Sequence, residues 1–491
     1  MRRYIISFIV LTLFSPVLAQ QMLTLEKCRE LALENNKQLN IGRLKQEMAV
    51  NTRKAVRTKY LPKVDAVGGY EYFSKEVSLL SNSQKSALSN LGTNAGTNVS
   101  QTIINLAQQG IITPETAQQL GGLLTKYGNP LIELGNKIGD NIKEAFRTDT
   151  KNIWVGTVIL RQPIYMGGAI TAANRLADIN ELMAGNDIDL RKQNTLYDID
   201  KAYWLVVSLK QKQKLAESYR DLVKKLDDDV CKMIKEGIAT RADGLRVDVK
   251  VNEAEMQVTQ VDNGLSLAKM LLCQLCGLPM DDSITLVDED RDDLQETDII
   301  YYEKENAAYN NRPEVRMLEN AIDMSREATK IVRAAYLPQV ALTGGYTISN
   351  PNVFNGFERK FSGVWSVGLM VHVPVWNWFE GKYKVNASKA ATTIAEMELS
   401  DVREKINLQV TQDRYKVNEA HKRLAMAENN IKSAEENLRC ADVGFKEGVM
   451  DATDVMAAQT AWQQALSQKI DAEIDVKLTQ VSLKKSLGIL E

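Results

Sequence analysis

The sequence predicts a mainly α-helical chain that also carries membrane-type β-strands and is written as two tandem repeats. Three observations carry that prediction. First, Lys54 to Tyr70 (KAVRTKYLPKVDAVGGY) and Lys330 to Tyr346 (KIVRAAYLPQVALTGGY) match at ten of seventeen positions, at an offset of 276. A second offset, 211, relates Trp154 and Pro163 to Trp365 and Pro374, Lys235-Glu236-Gly237 to Lys446-Glu447-Gly448, and Asp243 to Asp454. Second, the stretches Gly168 to Gly237 and Gly381 to Gly448 run for 69 and 67 residues without proline, and each reaches about 100 Å if helical throughout. Third, four runs of about ten residues alternate apolar and small or polar side chains with the period of a strand.

In chain order, residues 1–19 read as an export signal: Arg2 and Arg3, an apolar run from Ile5 to Phe14, and small residues around Val17-Leu18-Ala19. The first repeat occupies residues 20–280. Its opening helix, residues 22–60, is expected to stop at Leu61-Pro62, and the counterpart over 299–336 at Leu337-Pro338, because proline cannot continue a helix. Strands follow over 64–73 and 153–162, and in the second repeat over 340–348 and 361–373. The two offsets differ by 65, so the first strand pair holds an insertion, residues 74–150, that starts Ser/Asn/Gly-rich and then turns helical in character.

The long helices come next, and each turns at a Gly-to-Asp tip, 237–243 and 448–454. Leu424, Ala427, Ile431, Ala434, Leu438, Ala441 and Phe445 step by threes and fours on an outgoing helix, and Val251, Ala254, Val258, Val261, Leu265, Ala268 and Leu272 do so on a returning one. Such seams on both sides of a tight turn predict antiparallel coiled-coil hairpins. The return helices are half as long as the outgoing ones, and the opening helices supply the remaining length end to end, giving a wall of uniform height. Residues 281–298, with nine acidic side chains and one Arg, read as a solvated acidic linker between the repeats. The second repeat is residues 299–491.

Composition closes off other classes. Lys+Arg 61 against Asp+Glu 63 gives no cationic surface for nucleic acid. The sequence holds no HExxH, P-loop, GxGxxG or GxSxG pattern, and only two histidines, His372 and His421, which read as a polar sheet position and a solvated helix position. No enzyme, cofactor or metal site is expected. Five cysteines are few and odd in number for an exported chain; Cys273 and Cys276 have metal-ligand spacing but fall on a helical seam, as small buried hydrophobes.

Four strands cannot close a barrel, and an open edge in lipid leaves backbone groups unpaired, so the chain must oligomerise. A trimer gives a 12-stranded β-barrel continued by a 12-helix periplasmic α-barrel. The duplicated YLP-to-strand segments, the strand-to-helix junctions PIYMGG (163–168) and PVWNWFEGK (374–382), and the turns KEGIATRADGL (235–245) and KEGVMDATDVM (446–456) together resemble the TolC-like outer membrane efflux family. The resemblance implies a homotrimeric exit duct in the cell outer membrane with a periplasmic extension. It receives cargo from an inner-membrane pump through a periplasmic adaptor, a membrane fusion protein, for efflux or type I secretion, and catalyses nothing.

The resemblance also places the Gly-to-Asp turns at the periplasmic tip, where the duct narrows and the adaptor docks. The candidate tip residues are Gly237, Arg241, Asp243, Leu245, Phe445, Gly448, Met450 and Asp454. Asp243 and Asp454 have two readings: rings of carboxylates around the threefold axis, or N-caps of the returning helices. Arg241, near Asp243, is a candidate bridge between hairpins that would hold the tip shut, and Phe445 or Met450 a candidate apolar constriction. Tyr70, Trp154, Tyr346, Trp365, Trp376 and Trp378 fit a membrane-interface belt in contact with outer-membrane lipid. The insertion is expected to be an extracellular loop, with a plug as the alternative. The rival function is a periplasmic coiled-coil adaptor or structural protein, which would have one hairpin and no duplicated membrane strands.

Overall fold

The structure is a computed structural model that describes residues 22–76, 78–91, 128–148, 150–281, 283–291, 311–355 and 357–490, with the isolated positions 106, 109, 111 and 309. The export signal and residues 292–298 of the acidic linker lie outside the described residues. The chain divides into two compact units that cut across the repeats, one of residues 57–170 and 333–378, the other of the remainder.

The first unit is built on one antiparallel sheet. Its strands are β2 (Lys63–Tyr72), β3 (Asn152–Met166), β5 (Gln339–Asn350) and β6 (Ser362–His372), in the order β2-β3-β5-β6. The register is continuous, with rows such as Ala66, Val158, Tyr346, Trp365 and Val67, Thr157, Thr347, Val364. It breaks once, at a bulge between Pro163 and Tyr165 on β3. Among the described residues neither edge strand has an outer partner, and every residue of β2 is exposed. The insertion contains helices α3 (Asn82–Ser89) and α4 (Gly128–Ala145), the second within the stretch read as helical in character. Leu80, Leu88 and Leu91 bury themselves against Ile138, Ile142 and Phe146. Gly139 permits this approach, since a Cβ there would stand 1.8 Å from the Leu88 carbonyl oxygen.

The second unit is helical. The two long helices, α5 (Ala169–Lys235) and α8 (Glu380–Lys446), have 67 residues each, and the returning helices, α6 (Arg241–Cys276) and α9 (Ala452–Ser486), have 36 and 35. All the seam positions read from the sequence are buried or half-buried. Ion pairs and hydrogen bonds fix the order of the rows. α6 lies beside α5 through Lys224 and Glu255 (2.7 Å), α5 beside α9 through Lys212 and Asp471 (2.6 Å), and α9 beside α8 through Asp475 and Arg423 (3.0 Å). Helix α2 (Lys37–Arg57) extends the first row, with Arg53 on Glu181 at 2.8 Å. Helix α7 (Pro313–Ala334) extends the third, between Asp189 of α5 and Glu396 of α8.

Three expectations need correction. Residues 22–60 are not one helix: α1 (Leu25–Asn35) ends at Asn36, whose backbone is extended (ψ 125°) and whose Oδ1 accepts from the Gln38 and Leu39 N–H groups, capping α2. The first part of the linker is only partly solvated. β4 (Thr285–Leu286) pairs in parallel with β1 (Met22–Leu23), Leu286 is buried, and buried Glu289 accepts from the Leu286 N–H. His421 is half-buried, with its Nε2 enclosed.

The glycines before the two long helices are also not equivalent as read. At the 211 offset Gly167 and Gly168 correspond to Trp378 and Phe379, and all four have positive φ, 62° and 86° against 51° and 63°. The same left-handed turn is made by two glycines in one repeat and by two aromatic residues in the other, the second at a cost of about 1–2 kcal/mol per residue.

Candidate functional site

The tips form from matched local signals. Each outgoing helix ends in a left-handed glycine, Gly237 (φ 78°) or Gly448 (φ 73°). The next N–H reaches back to the third-last helical carbonyl, Ile238 to Met233 at 2.8 Å and Val449 to Gly444 at 2.8 Å. Three residues later the return helix starts with a capping box. Thr240 and Asp451 are the N-caps, and Asp243 and Asp454 sit at the third helical position, accepting in return from the Thr240 and Asp451 N–H groups at 3.0 and 3.3 Å. The two carboxylates are thus part of the caps without being the N-cap residues themselves.

Asp243 is held below the ordinary carboxylate range by the Thr240 hydroxyl and N–H, with Arg246 adding to the effect at 3.4 Å. Its cation is therefore Arg246, and Arg241 is exposed without an ion pair among the described residues. Phe445 is not at the surface: it is buried with Leu226, Val455 and Met456, in a core that both hairpins share. Met450 folds back over Gly444, where a Cβ would meet its Cγ and Sδ at 3.0 Å. The apolar side chains that project furthest are Leu245, Ile238 and Val449, the last two 71% and 79% exposed. Ile238 and Val449 were missed in the sequence, although their 211 spacing marks them as one position. Between α5 and α8 a groove of 280 Å³ opens beside the tips, lined by Leu222, Asp229, Leu438, Arg439 and Trp462 among others.

The sheet has two chemically distinct faces. Directly paired residues point the same way, so one face carries Val64, Leu160 and Val367, then Ala66, Val158, Tyr346 and Trp365, then Tyr70 and Trp154. The rings of Tyr70 and Trp154 lie 4.4 Å apart. The opposite face carries Thr157 and Thr347, bonded at 3.2 Å, with Lys63, Asp65, Glu71 and Arg161. The charges all lie on one face and the large aromatics on the other, as a barrel wall between lipid and water requires.

The bulge at Pro163 moves Tyr165 onto the aromatic face, paired with Val340. Trp154 and Tyr165 then mark two levels eleven residues apart, about 36 Å along the strand, which tilted as in membrane barrels matches an apolar band of about 25 Å. Trp365 and Trp376 repeat the pair at the 211 offset. Tyr165 was overlooked in the sequence because the bulge reverses its parity. Trp376 and Trp378 stack edge to face at 5.7 Å, and both are exposed.

Open edges recur in the helical unit. The outermost helix α8 exposes Tyr383, Ile394, Met397, Leu408, Tyr415 and Met426, at spacings of 11, 3, 11, 7 and 11 that keep one face. At the other edge α6 exposes Leu245, Val249, Met256 and Leu267, and α2 exposes Ile41, Leu44 and Met48. Cys273 and Cys276 are buried, and their thiols donate to the Asp281 and Cys28 carbonyls.

A two-faced, open-edged sheet joined to paired helical hairpins defines the architecture of a membrane channel subunit. Residues 306–489 match the model of the outer membrane efflux protein family. The alkaline protease secretion protein AprF of Pseudomonas aeruginosa is 22% identical over 342 residues, 69% of this chain and 70% of AprF. Among solved structures, the outer membrane protein VceC from Vibrio cholerae is 13% identical with a TM-score of 0.68, covering 94% of this chain and 96% of VceC. The Campylobacter jejuni CmeC outer membrane channel is 14% identical with a TM-score of 0.70, covering 94% and 85%. These likenesses extend over both units and show the fold.

Proposed function

We propose that three copies of this chain join edge to edge into one duct that carries cargo from a periplasmic adaptor and an inner-membrane pump across the outer membrane. The chain is an outer-membrane exit duct subunit, and its family and fold are those of transport channels. One observation carries the threefold closure: both units stop at open edges that are apolar or unpaired, β2 and β6 in the sheet, α6 with α2 and α8 in the helices. The order of rows is the same in both units, since β2 follows α2 and β6 leads into α8. Packing the α8 stripe of one copy on the α6 and α2 stripe of the next is a head-to-tail contact, which closes a ring when the rotation fits. Twelve strands then leave no edge in lipid.

In the closed ring the tips bring together three copies each of Asp243 and Asp454, a cation-attracting mouth. Ile238, Val449 and Leu245 offer exposed apolar contacts to the adaptor beside Arg241 and the groove between α5 and α8. The aromatic levels at Tyr70, Trp154, Tyr346, Trp365, Trp376 and Trp378 sit at the lipid interfaces. Native mass in mild detergent tests the reading. Three chains with channel conductance are expected for the wild type, and a lone subunit for Leu408→Glu/Tyr415→Glu, which puts charge into the α8 stripe. A wild-type monomer without conductance overturns it.

A further inference from the structure

Lys63 and Arg161 stand directly opposite each other on β2 and β3. Like charges so placed are destabilising; both are exposed, and neither forms an ion pair among the described residues. They lie on the polar face of the sheet, in one row with Thr343 and Gly368, while the neighbouring row on the other face is Val64, Leu160, Gly344 and Val367. The acids of this face are Asp65, opposite Ile159 in the next row of the polar face, and Glu71. Glu71 is eight residues from Lys63, about 26 Å along the strand. On the other side the polar face continues with Gln339 opposite His372. Cations are therefore gathered at the end of the sheet where the chain enters from α2 and α7, and the far end is acidic.

We propose that the Lys63–Arg161 row is a cargo-binding ring in the lumen that takes carboxylate or phosphate groups of passing substrates. The inference rests on the duct reading, which makes the polar face the lumen wall. Three copies place six cations in one row against three Asp65 carboxylates in the adjacent one, a net positive collar. Arg161 offers a planar fork that matches a carboxylate or phosphate, and Lys63 a point charge beside it. A collar with low-dielectric walls concentrates anions. It gives the duct an anion-favouring station distinct from the acidic tips.

Reversal potentials of the full-length protein in planar bilayers, under a KCl gradient, test this. Lys63→Gln/Arg161→Gln is expected to lower the chloride-to-potassium permeability ratio several-fold at low salt, with less effect at high salt, and Asp65→Asn to raise it. A second readout places Thr343→Cys in the same row, in a background where the exposed Cys231 and Cys440 are replaced by Ser. A negatively charged thiosulfonate should react faster than a positively charged one, and the Lys63/Arg161 double replacement should abolish the difference. Normal conductance with an unchanged ratio and equal reaction rates overturns the ring but leaves the duct reading intact. Absence of conductance in the folded wild type overturns both.

Discussion

Asn36 and Arg312 occupy the same place in the two repeats, 276 residues apart, and each donates to the last turn of a helix that ends beside it. Asn36 Nδ2 reaches the Leu275 carbonyl at 3.2 Å, and Arg312 Nη1 reaches the Ser486 carbonyl at 2.9 Å. Leu275 and Ser486 are themselves related by the 211 offset. Each contact joins a returning helix to the start of the next helix in its row, α6 to α2 and α9 to α7. The carbonyls at a helix end need such donors. The closeness is confirmed by Gly277 and Gly488, where a Cβ would stand 2.5 Å from Asn35 and 2.9 Å from Asn311.

Replacing these two residues should therefore weaken one structural joint in both repeats, but unequally. Asn36→Ala loses the cap of α2 and the bond to Leu275, about 1–2 kcal/mol. Arg312→Ala removes a nearly buried guanidinium that also holds Glu314 at 3.0 Å and Gln409 at 3.1 Å, about 2–3 kcal/mol. Apparent melting midpoints at one scan rate should fall in both variants, further in the second. The reverse order would show that the joint is not the common element.

The left-handed turn before α5 gives a sharper comparison. Gly168→Ala meets open space, so only its positive φ (86°) counts, about 1 kcal/mol. Gly167→Ala adds a Cβ 2.6 Å from the Ala334 carbonyl oxygen and 3.0 Å from Leu337 Cβ, so backbone must move as well. The first variant should assemble with a slightly lower midpoint and the second with a clearly lower one or reduced yield. Equal effects would mean that the close approach to Ala334 is relieved without cost.

In the coiled coils, α8 and α9 approach more closely along their length than α5 and α6 do. The residues explain it. Ala434 and Ala441 on α8 correspond at the 211 offset to Val223 and Val230 on α5, and Ala458, Ala465 and Ala472 line the facing helix. Methyl side chains let the axes come together. Ala434→Leu should overpack this seam by about 1–3 kcal/mol, whereas Val223→Leu in the wider hairpin should cost less. Protease resistance of the tips reports both, and a larger loss at Val223 would contradict the account.

Acid should loosen the first tip in a definite window. The Asp243 carboxyl is lowered mainly by the Thr240 hydroxyl and N–H. A depressed carboxylate contributes its full stabilisation above its unfolded value, ordinarily about 3.9, and loses it as pH falls through the lower folded value. Hydrogen exchange over residues 236–246 should hence be protected evenly from neutral pH to about that value and rise below it. In Asp243→Asn that added loss should vanish. The partner residue, Asp454, is tested by conductance: Asp454→Ala should change single-channel conductance or cation preference, and no change in either removes it from the mouth.

Much of this was legible in the sequence because the repeat writes each element twice. The strand pairs, the long helices and the tips were located by Pro62, Pro338, Gly237 and Gly448, whose backbone demands are local. What stayed hidden depended on partners far along the chain. Asn36 breaks a helical pattern because Leu275 waits 239 residues away. Tyr165 changes face through a bulge set by its pairing with β5, and Phe445 is buried because a second hairpin packs on it. Asp243 and Asp454 close the capping boxes at the turns, a role that needs Thr240 and Asp451 as N-caps.

The insertion between β2 and β3 should be separable from assembly. Its described helices bury Leu88 against Ile138 and Ile142 without using the sheet. Its two ends are brought together by a bridge between Ser78 and Arg147, by Arg147 on Glu76 at 3.2 Å, and by the Phe73 N–H on the Lys151 carbonyl at 2.8 Å. Arg147 is exposed and Glu76 half-buried, so their ion pair adds little, and the hairpin register comes from the ladder itself, which runs from Lys63–Arg161 to Tyr72–Asn152. Removing residues 80–145 and joining the ends with a short Gly/Ser link shortens the loop, and closing a shorter loop costs slightly less entropy. The deleted protein should still reach the outer membrane as a heat-modifiable oligomer of three chains. Its conductance separates the two readings of the insertion: an unchanged value fits an extracellular loop, a raised one fits a plug. Loss of the oligomer would show that the segment holds neighbouring subunits together.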